Sequence, residues 1–170
     1  MDPVHSMFAG ASDTDSVPDP EVSDQEFLDF AFFLSHLAPP PRVLPQDPIS
    51  LDRINQGEVL FGNMGCDSCH LPVLNGPDGP VAAYSDFLLH KVADPAQYNV
   101  NEPGVEPGEF RTAPFLGLRD TAPYLHDGSA ETLEEAIFLG HYGEAMAARN
   151  AYSALTLLEK SQVQAFLLSL

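Results

Sequence analysis

Cys66-Asp67-Ser68-Cys69-His70 is the stretch of this chain whose residue types and spacing do chemistry. Two thiols separated by two residues on one helical turn can each add to a haem vinyl group, and the adjacent histidine then projects its imidazole to the iron. Other uses of the same residues compete. A zinc site takes four ligands, and with only 2 cysteines in the chain the others would have to come from scattered histidines. A thioredoxin-like pair sits between a strand and a helix in a βαβ pattern, which this sequence lacks. A disulfide across so short a loop stabilises little. One covalent haem c, held by Cys66, Cys69 and His70, is the expected cofactor.

The elements that must position this motif read as helices. An amphipathic segment over 49–66 carries Ile54, Gly57, Leu60 and Phe61 at helical spacing and runs into the cysteines. A closing helix over about 157–170 carries Phe166. A glycine on one helix lets the other approach closely, with Phe166 filling the crossing. Between them, 71–128 is rich in Pro and Gly and reads as loop, and a further helix starts at Thr132, whose hydroxyl pairs with Glu135 in a capping box. Upstream, 23–37 has Phe27, Phe30, Phe33, Leu34 and Leu37 on one face, Ser23 and Glu26 as a capping box, and Pro39-Pro40-Pro41 as its stop. Residues 30–37 parallel 163–170: both end in Phe-Leu-x-x-Leu. Either two amphipathic helices coincide, or each closes a similar domain.

Of 170 residues, 25 are acidic and 7 basic, a net charge of -18. Binding to nucleic acid or to an anionic membrane surface is excluded, because both need Lys/Arg density. Hydrophobic residues make up 44 %, enough for one core. No apolar run reaches the roughly 18 residues of a membrane span. No Lys or Arg precedes Arg42, and residues 1–22, rich in acids and prolines, read as an extended arm. The expected fold is all-α: a cytochrome c-like haem domain over 49–170 with long loops, one extra N-terminal helix, and a Pro-rich linker within 23–48.

Several segments in order make a resemblance. Gly57 to His70, Tyr84-Ser85-Asp86-Phe87-Leu88-Leu89-His90, Phe110-Arg111-Thr112-Ala113-Pro114, Gly117 to Gly128 and Thr132 to Ile137 resemble the C-terminal haem domain of bacterial di-haem oxidoreductases. That family is related to di-haem cytochrome c peroxidases and to the methylamine-utilisation di-haem enzymes. The resemblance implies tandem haem domains, and one CxxCH motif here implies that 23–37 is the last helix of a missing first domain. Family members often carry Trp after Arg-Thr-Ala-Pro, where this chain has Phe115-Leu116 and no Trp at all.

The sixth ligand of the iron separates an electron carrier from a catalyst. His141 lies about where the peroxidase relatives place a distal Met; Met146, Tyr142 and an open site are the alternatives, with His90 and His126 as further histidines. The expectation for His126 is a loop-ordering role beside the Asp127-Gly128 turn, and for His90 a partly buried, hydrogen-bonded one. Arg111 and Arg119 are the expected partners of the haem propionates, since a guanidinium forks onto a carboxylate.

The first functional expectation is electron transfer as part of a di-haem oxidoreductase, to a redox partner protein or a second haem domain. The second is a catalytic, peroxidase-like haem domain in which His126 or Glu144 assists O–O cleavage. A metal or redox CxxC module is the third. Haem attachment of this kind is periplasmic chemistry, yet Met1 to Gly10 has neither a basic nor an apolar leader region, so a fragment of a longer periplasmic precursor is expected.

Overall fold

The structure, a computed structural model, describes residues 22–76, 79–94 and 104–170. The acidic arm expected over 1–22 lies, Val22 apart, outside them. The chain divides into two compact units, Met1–Ala38 and Pro39–Leu170.

The first unit contains α1 (Asp24–Ser35), opened by the expected capping box: Ser23 Oγ accepts from the Glu26 amide, and Glu26 accepts from the Ser23 amide at 2.9 Å. None of its residues is buried.

The second unit is built on α2 (Pro48–Asn63) crossing α5 (Leu157–Leu167). Asp47 caps α2 with Pro48 in its first turn, and Thr156 with Glu159 forms a capping box on α5. Ile54, Phe61, Val163, Phe166 and Leu167 are buried at the crossing. Gly57 makes it possible: a Cβ there would lie 2.8 Å from the Phe166 Cβ and would collide with the Gln162 carbonyl. The linker is strapped onto the same crossing. Val43 N–H donates to the Ser169 carbonyl at 2.7 Å, Arg42 pairs with Glu58 at 2.9 Å, and its guanidinium lies over the Phe166 ring.

α1 and α5 share a register. Ser23 and Thr156 are the N-caps, Glu26 and Glu159 the N3 acids, and Phe33-Leu34 and Phe166-Leu167 stand ten positions after each cap. Phe30, Phe33, Leu34 and Leu37 are 49–58 % exposed, whereas their counterparts Val163, Phe166, Leu167 and Leu170 are 0–8 % exposed. The one helix carries the buried face of the other.

The mostly helical fold is as expected, but it is not purely α. The chain is mostly helical, with two small antiparallel strand pairs in the loop region: β1 (Leu74–Gly76) with β2 (Gly79–Val81), and β3 (Leu89–Lys91) with β4 (Glu109–Arg111). Each strand has three residues, too few for an alternating pattern to be read from sequence. In the second pair His90 stands opposite Phe110 and Lys91 opposite Glu109. Further on come α3 (Leu133–Gly140), with the expected Thr132–Glu135 capping box, and α4 (Met146–Ser153), which the sequence reading did not anticipate. The expected helical segment 49–66 stops at Asn63, and the cysteine motif itself forms a short 3₁₀ turn, Cys66–Ser68.

Candidate functional site

The loop region and α3 to α5 enclose a cavity of about 710 Å³, within the size range of cofactor pockets. Cys66, Cys69 and His70 line it, together with apolar side chains such as Phe115, Leu118, Leu125, Leu133 and Ile137.

The segment Tyr84 to Asp86 clamps the motif in place. Asp86 N–H donates to the Cys69 carbonyl at 2.9 Å and Ser85 N–H to the Leu71 carbonyl at 3.1 Å. The His70 Nδ1–H donates to the Tyr84 carbonyl at 3.0 Å. A carbonyl only accepts, so that bond fixes the proton on Nδ1 and leaves the Nε2 lone pair for a metal. Burial pushes the His70 imidazole down to about 4, so it is neutral at pH 7. Phe115 stacks on the His70 ring at 4.2 Å between centroids.

His141, the C-cap of α3, lines the same cavity. Its Nδ1 donates to the Ala136 carbonyl at 3.3 Å, leaving Nε2 free in the same way, and burial again favours the neutral ring. The His70 and His141 ring centroids are 6.4 Å apart, with their planes at 32°. An imidazole nitrogen binds a metal at roughly 2 Å, so two rings on opposite sides of one iron stand roughly 6 Å apart between centroids. Two neutral imidazoles at that separation, each with Nδ1 already bonded, have the spacing and donor atoms to hold a metal between them.

The remaining candidates divide. His90 and His126 line the cavity. His90 is partly buried and hydrogen-bonded on both ring nitrogens, to Asp86 at 2.9 Å and Glu144 at 3.0 Å. His126 packs on the Phe110 ring at 4.5 Å, beside a tight turn in which Ser129 N–H donates to Asp127 Oδ1. Met146 and Tyr142 are not on the lining; Met146 Sδ is 3.8 Å from Arg149, and Tyr142 lies beneath the Arg149 guanidinium. Arg111 lines the cavity with its guanidinium over Phe87. Arg119 is not brought to it: it pairs with the adjacent Asp120 at 2.9 Å. The cation that sequence reasoning missed is Arg149, on the unanticipated α4 and facing His141, whose protonation it opposes. With 7 basic residues in all, its position eight residues past His141 was the available signal.

Neither competing use of the motif is well built. Cys69, Asp86 and His90 have ligand atoms within 4.8 Å of one another, the metal-competent cluster among the described residues, but that is one donor short of a structural zinc. Both cysteines are free thiols. Burial pushes Cys66 up to about 11 and raises Cys69 as well, the reverse of the depressed thiol of a redox pair.

A largely helical chain presenting a haem-c-type CxxCH motif and two partly buried imidazoles to one apolar cavity is of the haem-protein class. Over residues 4–170 the chain matches the family described as "Di-haem oxidoreductase, putative peroxidase", and it belongs to that family. It is 31 % identical over 151 residues to the cytochrome-c peroxidase IdrP2 of Pseudomonas sp. (strain SCT), covering 67 % of this chain and 38 % of that protein. It is 32 % identical over 93 residues to the cytochrome c551 peroxidase of Nitrosomonas europaea, covering 49 % of this chain and 27 % of that protein. The chain thus spans well under half the length of these relatives. No solved structure matches it.

Proposed function

We propose that this chain is a cytochrome c-like domain that transfers electrons as part of a di-haem oxidoreductase. In this reading Cys66 and Cys69 would attach one haem c, and His70 and His141 would hold its iron. The observation that carries it is the pair of neutral imidazoles 6.4 Å apart on the lining of one cavity. The bound group supplies a one-electron ferric/ferrous couple. The chain's residues do the rest: the two Nδ1 bonds to carbonyls hold the rings in orientation, and the apolar lining excludes water. Arg111 and Arg149 supply positive charge at the cavity for two propionates. A second protein ligand favours outer-sphere electron transfer over direct attack on a small oxidant.

The chain's electron partner is a second haem domain or a redox protein, and the net charge of -18 favours a basic docking face on the latter. The register that α1 shares with α5 supports reading 23–37 as the closing helix of that second haem domain. Thioether attachment supports a periplasmic location.

A catalytic, peroxidase-like role is the second reading, favoured by the names of the two relatives. There His126 or Glu144, both on the cavity lining, would move a proton next to the bound oxidant.

Attachment is tested by acid–acetone extraction of the purified protein. Haem should stay with the wild-type chain and be extracted from the Cys66→Ala/Cys69→Ala double variant. Haem extractable from the wild type would rule attachment out.

A further inference from the structure

The segment that carries His141 is docked on β3 and the residue after it through a set of polar bonds. Tyr142 N–H donates to the Val92 carbonyl at 2.8 Å, and Glu144 Oε1 accepts from the Lys91 amide at 2.8 Å. Glu144 Oε2 meets His90 Nδ1 at 3.0 Å, and His90 Nε2 meets Asp86 Oδ2 at 2.9 Å. Gly143, at φ +48°, sits so close to the Lys91 carbonyl that a Cβ there would collide with it. The chain Asp86–His90–Glu144 therefore ties the clamp behind the cysteine motif to the loop behind His141. One end holds Cys69 through the Asp86 amide; the other is three residues from the second imidazole.

Carboxylates only accept hydrogen bonds, so both His90 bonds need both ring nitrogens protonated. A neutral imidazole keeps one donor and must release either Asp86 or Glu144. The other groups near His90 do not replace the missing proton. Lys91 is committed to Glu106 at 2.6 Å, Cys69 presents a thiol or thioether sulfur, and His70 donates to Tyr84. Across the strand pair stand apolar Phe110, with Glu109 opposite Lys91 and Arg111 opposite Leu89.

Resting on the bis-imidazole reading above, we propose that Asp86–His90–Glu144 is a latch that positions His141, closed only while His90 is an imidazolium. His90 and Glu144 are positioning residues; neither reaches the iron through this array. The two carboxylates, Glu144 first and Asp86 second, raise the His90 pKa above its ordinary value. A raised pKa keeps the latch closed to higher pH than an ordinary imidazole would, and its release comes where pH climbs through the folded-state value. Release removes one of the bonds that hold the loop carrying His141, so rising pH would loosen the hold on the second imidazole.

The test uses the full haem-loaded chain. The ferric low-spin fraction is read by visible absorption from acid to alkaline pH, and hydrogen exchange is followed at the Tyr142 amide. In the wild type, low-spin character should fall as pH rises, with Tyr142 exchange quickening about tenfold, the effect of losing one charged hydrogen bond. His90→Gln, which cannot titrate, should flatten both profiles, and His90→Phe should give fast exchange at every pH. Equal pH profiles for wild type and His90→Gln, or Tyr142 exchange unmoved by His90→Phe, would overturn the latch. His141→Ala separates the two ideas. If it leaves the spectrum unchanged, the ligand assignment falls, while Tyr142 exchange still reports whether the loop is held by His90.

Discussion

Gly57 on α2 packs against the Gln162 carbonyl and the Phe166 Cβ of α5 so closely that there is no room for a β-carbon. Gly57→Val should therefore separate the helices or force the Gln162 backbone aside, at a cost of about 3 kcal/mol of overpacking. A urea titration of the haem-loaded protein checks this. Equal midpoints for wild type and variant would show that the crossing tolerates a side chain.

The shared register of α1 and α5 yields the second prediction. Phe30 and Phe33 are exposed where their counterparts Val163 and Phe166 are buried. The Phe30→Ser/Phe33→Ser double variant should keep the thermal midpoint of Pro39–Leu170 and lose association with a second haem domain added in trans. A drop in that midpoint with association unchanged would contradict the assignment of this face.

How much of this was legible in the sequence follows from the range of the interactions. The cysteine motif, three capping residues (Ser23, Thr132, Thr156) and the Gly57/Phe166 pair are local or periodic signals; the sequence reading used all of them except Thr156, and the structure displays them all. The two strand pairs were not legible, because three-residue strands carry no period. Pairing β3 with β4 depends on a connection of 17 residues, Val92 to Gly108. His141 was named from its position in the family resemblance, but its Nδ1 bond to Ala136 and its separation from His70 exist only in three dimensions. Arg119 sits in the family-like stretch and pairs with its neighbour Asp120, while Arg149 sits outside that stretch and lines the cavity. Segment likeness does not report which way a guanidinium turns.

Thr132 closes the start of the helix that ends at His141. Its Oγ accepts from the Glu135 amide at 3.2 Å, and Glu135 returns a carboxylate to the Thr132 amide at 2.9 Å. Thr132→Ala should lower stability by about 1 kcal/mol, read by denaturant unfolding. Thr132→Asp should restore it, because Asp caps equally well. A Thr132→Asp variant as weak as Thr132→Ala would show that the hydroxyl serves packing and not capping.

Arg149 places a positive charge on the cavity wall facing His141. A nearby cation favours the reduced, less positive state of a redox centre, so Arg149→Leu should lower the reduction potential by tens of millivolts. Arg119→Leu, away from the cavity, should leave it close to the wild-type value. Potentiometric titration of both variants checks the contrast; equal shifts would remove the special placement of Arg149.

The ferric spin state of the purified haem-loaded chain, compared with that of His141→Ala, bears most directly on two imidazoles facing one iron. The account predicts a low-spin wild type with no sulfur-to-iron charge-transfer band. It predicts a His141→Ala variant that turns high-spin and binds cyanide faster, with its haem still covalently attached. A wild type that is already high-spin, or a low-spin spectrum that His141→Ala leaves unchanged, would contradict it.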